Sequence, residues 1–238
     1  MSRPGLRSNA TRPDIAVRAL DQLSDQDFRF LAENFPQPAH GYEEMAAIFK
    51  SLPSTLESML DAEYVHRKIF ESLGVLLEIS PFLLFNVLLR RCIGSPRTAT
   101  DRAVINYLAN LLSLFVRTDR VYRPESGDSR SYEYFVDLMA EAQRADERRS
   151  FLLHAHVGNY ALYLTGIFPN WLEDRHRYKK RPLNAGYYAD MGRTGYRDAA
   201  SSRLAKAYEL DDIFLRLALM FDRYRERLNV LAREYLFE

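Results

Sequence analysis

The 238-residue chain carries 33 Lys and Arg against 32 Asp and Glu, so no global field draws it to nucleic acid or to an anionic membrane. A hydrophobic content of 47%, with 14 Phe and 15 Tyr, lets a core form without disulfides or structural metal, and the single cysteine, Cys92, excludes an internal bridge. The longest apolar stretch, Leu73 to Leu89, is interrupted by Glu78, Pro81 and Asn86, and the charged first residues contain no secretory apolar run; no transmembrane segment and a reducing, cytoplasmic setting are expected.

Residues 1–12, with Arg3, Arg7 and Arg12 among Gly, Ser, Asn and Pro, predict a disordered basic tail ahead of a single helical domain over 13–238. Pro13 suits the first turn of a short helix to about Leu23, and Ser24 with Asp27 resembles a cap for a second helix that the Pro36 to Gly41 stretch ends. Helices follow from Tyr42 to Leu52 and, after Pro53 and Ser54, from about Thr55 to Leu73. Ser80 and Pro81 open a very apolar helix that stops before Gly94. Thr98 or Thr100 caps the next, in which Val104, Tyr107, Leu108, Leu111, Leu112 and Phe115 recur at intervals of three and four.

Residues 119–130 read as an interior loop, the candidate place for a subdivision into two helical halves. A helix from Tyr132 to Arg144 follows, then one from about Glu147 to Ile167 that is apolar nearly all round and belongs at the centre of a bundle. Gly158, Ala161 and Thr165 keep one of its faces small, so another backbone can come close. Pro169 to about Ala200 is polar, aromatic and basic, and part of it is expected to be irregular. From Leu210, the residues Ile213, Leu217, Met220, Tyr224, Leu228, Leu231 and Tyr235 predict one long C-terminal helix, packed in the bundle or paired with a second copy as a homodimer. The expected class is therefore all-α, a compact bundle of about 8–10 helices without internal repeats.

Three constellations could carry chemistry. Glu63 and His66 continue the three-four alternation of Leu56, Met59, Phe70 and Leu73, which aims a carboxylate and an imidazole at the core. A Glu-x-x-His pair of this kind supplies metal ligands in helical bundles that hold two metal ions, so a transition metal held by Glu63, His66 and His154 is one reading. The alternative is a hydrogen-bonded buried pair. The second match, Glu173 with His176, lacks an apolar stripe, and Glu78 could sit near a helix boundary. His154 and His156 point about 160° apart on a helix, so they do not grip one metal together.

The third constellation is basic and aromatic. Trp171, Arg175, Arg177, Tyr187, Tyr188, Arg193, Tyr196 and Arg197, with Tyr178 and Lys179 to Arg181 among them, combine guanidinium forks with ring faces that suit an anionic or planar partner. Gly186, Gly192 and Gly195 allow close backbone approach or sharp turns, but match no phosphate-loop or dinucleotide pattern. The alternative is a solvated connector whose tyrosines cover the bundle. Cys92, after an apolar helix, reads as a buried inert thiol, and no nucleophile elbow, zinc signature or paired Cys motif occurs. The leading functional expectation is a helical binding, scaffold or regulatory protein with a protein partner or second copy at 171–197. The runner-up is a metal-dependent helical-bundle oxidoreductase or oxygenase using Glu63 and His66; nucleic acid is disfavoured.

Overall fold

A computed structural model describes residues 12–34, 41–71, 79–94, 96, 98–172 and 185–237. Fourteen α-helices and no strand lie among them, so the architecture is the all-α bundle that the periodicity demands. In chain order they are α1 Ala19–Gln22, α2 Asp25–Glu33, α3 Tyr42–Ser51, α4 Pro53–Leu60, α5 Glu63–Glu71, α6 Pro81–Ile93 and α7 Ala99–Phe115. Then come α8 Thr118–Val121, α9 Phe135–Ala142, α10 Glu147–Ile167, α11 Ala185–Ser201, α12 Arg203–Ala207, α13 Asp211–Leu219 and α14 Phe221–Leu231. A 3-10 turn at Asp14–Ala16 and a π turn at Ala232–Leu236 flank them. No helix among the described residues is long and apolar enough to cross a membrane.

Local signals start these helices as their chemistry requires. Ser24 and Asp27 form a capping box, and Asp27, fully buried, also accepts from the Ser80 amide at 2.7 Å, so one carboxylate ties the start of α2 to that of α6. Thr98, not Thr100, caps α7, with Asp101 completing the box. Ser80 accepts from the Leu83 amide, and Pro81 occupies the first turn of α6.

The centre of the bundle is α10, and its most extensive neighbour is α11. The small face expected on α10 is where the two backbones meet. The Tyr196 ring lies over Gly158, and a Cβ at Gly195 would stand 2.7 Å from the His154 carbonyl oxygen and 2.9 Å from the Gly158 nitrogen. Within this crossing Asn159 accepts from the Tyr107 hydroxyl at 2.8 Å and the Tyr196 hydroxyl at 3.0 Å, joining α7, α10 and α11 by a buried polar triad. The apolar residues fall into two clusters. The smaller, with Leu31, Leu56, Val65 and Ile69, meets the larger along α6.

Several expectations change in the folded chain. The helix expected over 55–73 is broken at Asp61 and Ala62, whose amides bond back to Glu57 and Met59. That break rotates the stripe, burying Val65 and Ile69 and turning Phe70 out at 54% exposure; Leu73 lies outside the described residues. The long C-terminal helix is two helices, because its halves serve different neighbours: α13 packs on α11 and α7, whereas α14 packs on α10 and α6. Met220, at φ −115° and ψ 28°, makes the break and lets Phe221 enter the space left by Gly192. Ile213, Leu217, Tyr224, Leu228 and Leu231 are all buried within the one chain. These breaks make the helices shorter and more numerous than expected.

The stretch from 185 to 200 is regular helix. Arg12, read as part of the tail, is held against the bundle by the Tyr208 carbonyl oxygen and the Glu209 carboxylate, while residues 1–11 lie outside the described set. Residues 119–130 hold most of α8 and a loop bolted to the core. The buried Arg120 guanidinium donates to Asp14 at 2.8 Å and to the carbonyl oxygens of Arg123 and Pro124. Arg148 grips Glu125 at 2.6 Å, Arg149 grips Asp128 at 2.7 Å, and the Tyr132 amide closes on the Tyr122 carbonyl at 2.8 Å.

Candidate functional site

The groups expected to hold a metal are not assembled. Glu63 begins α5 after the break, so its side chain is 68% exposed and pairs with Arg91 at 3.0 Å. His66 is half-buried beside it in a cleft of about 160 Å³ that also includes Asp61, Arg90 and Arg91. Its Nε2 lies 3.5 Å from the Tyr235 hydroxyl, and burial, with Arg91 assisting and Glu63 opposing, holds its pKa below the usual imidazole value. Arg90 is nearly inaccessible and fully engaged by Asn86 at 2.8 Å, Glu57 at 2.6 Å and Asp61 at 3.0 Å. This arrangement is an anchor between α4 and α6. His154 is elsewhere, on α10, with Nδ1 3.5 Å from an Asp198 oxygen on α11; burial lowers its pKa and Asp198 opposes that. Among the described residues no three His, Cys, Asp or Glu side chains gather as a metal group. The early end of α4 is the physical reason, because it removes Glu63 from the inward stripe.

The described members of the basic-aromatic set are likewise dispersed. Tyr196 is a core residue that lies over Gly158 and belongs to the Asn159 triad, and Arg193 is held by Asp190 and Asp222. Arg197 is exposed, while Arg175, Arg177 and the Glu173 and His176 pair lie outside the described residues, as does Glu78. Cys92 is buried, and desolvation pushes its thiol up to about 11, which leaves it protonated.

Trp171, however, lines a cleft of about 380 Å³ with Phe115, Tyr122, Tyr163 and Phe168. The C-terminal end of α7, the α8 turn and the last turns of α10 position these rings, and Val116, Val121, Leu164 and Thr118 complete the wall. No acid, amine or guanidinium is among the described residues that line it. The rings brace one another edge to face: Phe115 against Tyr163 at 5.0 Å and 86°, Tyr163 against Phe168 at 5.4 Å and 73°. Phe168 also meets Phe237 at 5.5 Å. Among the described residues the mouth is apolar, with Val116 59% and Trp171 40% exposed.

Tyr187 and Tyr188, also singled out in the sequence, reach this cleft indirectly. Tyr188 packs on Phe135 at 5.4 Å, Phe135 on Tyr160 at 5.3 Å, and Tyr160 on the cleft residue Tyr122 at 5.9 Å. Behind the wall sits His156, between Phe115 and Tyr160. Complete burial, with Arg120 and Arg149 adding, pushes its pKa down to about 3, so the imidazole is neutral; it bonds the Val121 backbone, and its Nε2 has no hydrogen-bond partner. Burial also holds the Tyr163 phenol above its usual value, so it stays a hydroxyl.

Sequence reasoning missed these rings as site residues because Phe115, Tyr163 and Phe168 lie in or beside helices that read as core and Tyr122 lies in a stretch that reads as a loop. The one available signal was the aromatic pair Phe168 and Trp171 around Pro169, just past the end of the buried α10. Comparison with protein-family models, with curated proteins and with solved structures finds no match.

Proposed function

We propose that this chain is a helical binding protein whose contact site is the aromatic cleft at Trp171. The observation that carries the reading is that cleft itself: five rings and three aliphatic side chains converge on one concave site with an apolar mouth. Ligand sites usually are concave, about 300–1,000 Å³ in volume, and lined by apolar and aromatic groups with a few polar ones. The 380 Å³ cleft falls within that range, with the Tyr122 and Tyr163 phenols and Thr118 as its polar groups. Bracing by neighbouring rings and the bolted 122–132 loop favours binding, since groups already fixed lose little entropy when a ligand arrives.

The test uses Trp171, the only tryptophan in the chain. A panel of neutral, anionic and cationic ring compounds and short-chain alcohols is titrated while its emission is followed. Saturable one-site quenching by any member, weakened in Val116→Asp and retained in Leu219→Asp, is the expected result; both substitutions are at exposed positions, and only the first is at the cleft. If no member of the panel gives saturable quenching at about 1 mM, where binding is worth only about 4 kcal/mol, the reading fails.

A further inference from the structure

The chemistry of the cleft narrows what it holds. An ion transferred into apolar surroundings without a counter-charge or hydrogen bonds loses hydration that nothing replaces. Here Phe115, Tyr122, Tyr163, Phe168 and Trp171 form the wall, and no charged side chain is among the described residues that line it. The groups behind the wall do not change this: His156 is neutral, and the buried Arg120 is already matched by Asp14 at 2.8 Å. Ring faces and edges, in contrast, attract other rings through their quadrupoles and large contact area. The edge-to-face pairs Phe115–Tyr163 and Tyr163–Phe168 fix that lining in advance.

We infer that the cleft selects an uncharged, planar ring compound of two or three rings, stacked among Phe115, Tyr163, Phe168 and Trp171 and hydrogen-bonded at its edge by a phenol of the wall. This rests on the cleft being the contact site, and it adds the class of occupant. The size follows from the volume of about 380 Å³, which is near the lower end of the range for small-molecule sites and leaves no room for a helix or an extended peptide. The uncharged state follows from the lining. The hydrogen-bonding edge follows from Tyr122 and Tyr163, the two phenols among the described lining residues.

The probe is N-phenyl-1-naphthylamine, uncharged and fluorescent, compared with 1-naphthalenesulfonate, which has the same fused ring and a fixed negative charge, and with 1-octanol, which is uncharged but has no ring. At about 0.3–0.4 kcal/mol per heavy atom the naphthylamine binds the full chain with a Kd in the range of about 10–200 µM, with energy transfer from Trp171 to the bound probe. The sulfonate and octanol bind at least about tenfold more weakly. Val116→Asp weakens the naphthylamine about tenfold, the loss expected when one partly covered Val contact at the mouth is replaced by a charge, and Leu219→Asp leaves it unchanged. Sulfonate binding as tight as or tighter than the amine overturns the uncharged class while the cleft remains a binding site. Octanol matching the amine overturns the requirement for rings in the same way. Failure of all three probes to bind, or equal effects of the two substitutions, overturns the site itself.

Discussion

Replacing Gly195 by alanine tests the geometry on which the bundle is built. In an ordinary helix interior this change stabilises by about 1 kcal/mol, because alanine loses less backbone entropy. Here the new methyl would stand 2.7 Å from the His154 carbonyl oxygen, 2.9 Å from the Gly158 nitrogen and 2.9 Å from the Val157 Cβ. Two of those atoms are backbone, so no rotamer change relieves the contact, and α10 and α11 must separate by roughly 0.5–1 Å, which forfeits a quarter to a half of each affected dispersion contact. Overpacking of this kind costs about 3 kcal/mol at the upper end of its usual range. The net loss is about 2 kcal/mol, or a fall in Tm of about 4–8 °C for a chain of this size. Calorimetry or far-ultraviolet circular dichroism on heating reads it, with Gly127→Ala, where nothing lies within 4 Å of the added carbon, as the control. A Gly195→Ala protein melting at or above the parent would refute the close crossing.

Four further outcomes follow from particular side chains. His156 has a folded pKa of about 3 against an ordinary 6.5, so on acidification the unfolded chain takes up its proton first. The stability this group confers is complete above about pH 6.5 and declines by about 1.4 kcal/mol per pH unit toward about pH 3; urea titrations of the parent and His156→Gln should diverge by that slope, and parallel curves would contradict it. Glu209, at φ 61°, occupies the left-handed position of a C-cap in which the Leu210 amide bonds the Ala205 carbonyl and the Glu209 amide that of Lys206. Glu209→Gly should therefore gain a few tenths to about 1 kcal/mol after losing its exposed Arg12 contact, read as a higher urea midpoint. Arg90→Met leaves the Glu57 and Asp61 carboxylates facing each other without their cation and should cost about 3 kcal/mol in urea unfolding, most of it recovered by adding Glu57→Gln and Asp61→Asn. Elemental analysis of the purified protein should find iron, manganese and zinc well below one equivalent, since Glu63, His66 and His154 do not share a shell; one tightly held equivalent lost in His66→Gln would restore the metal reading.

How much of this was legible in the chain differs from residue to residue. Capping and a first-turn proline are local signals, so Ser24 with Asp27 and Ser80 with Pro81 announced their helices directly. The apolar circumference of α10 and its small face likewise foretold a central helix with a close neighbour, because a helix covered on all sides needs apolar or hydrogen-bonded groups on every face. Periodicity also marked Ile213, Leu217, Leu228 and Leu231 as inward, and they are.

Other features depend on which surfaces come together, and no local pattern carries that. Glu63 continued the stripe of Leu56 and Met59 only on the assumption of an unbroken helix; two residues at 61 and 62 rotate everything after them, which moves Glu63 to solvent and Val65 to the core. Met220 breaks α13 from α14 because one straight rod cannot pack on α7 and α10 at once. The cleft is the furthest removed from the sequence: Phe115 and Tyr163 lie in helices that read as core, Tyr122 in a stretch that reads as a loop and Trp171 in the basic-aromatic segment, and nothing local joins them. Hydrophobic spacing determines which side of a helix avoids water, because that is a property of one segment and its solvent. Where several such sides leave a gap is a property of their packing, and only the assembled bundle decides it.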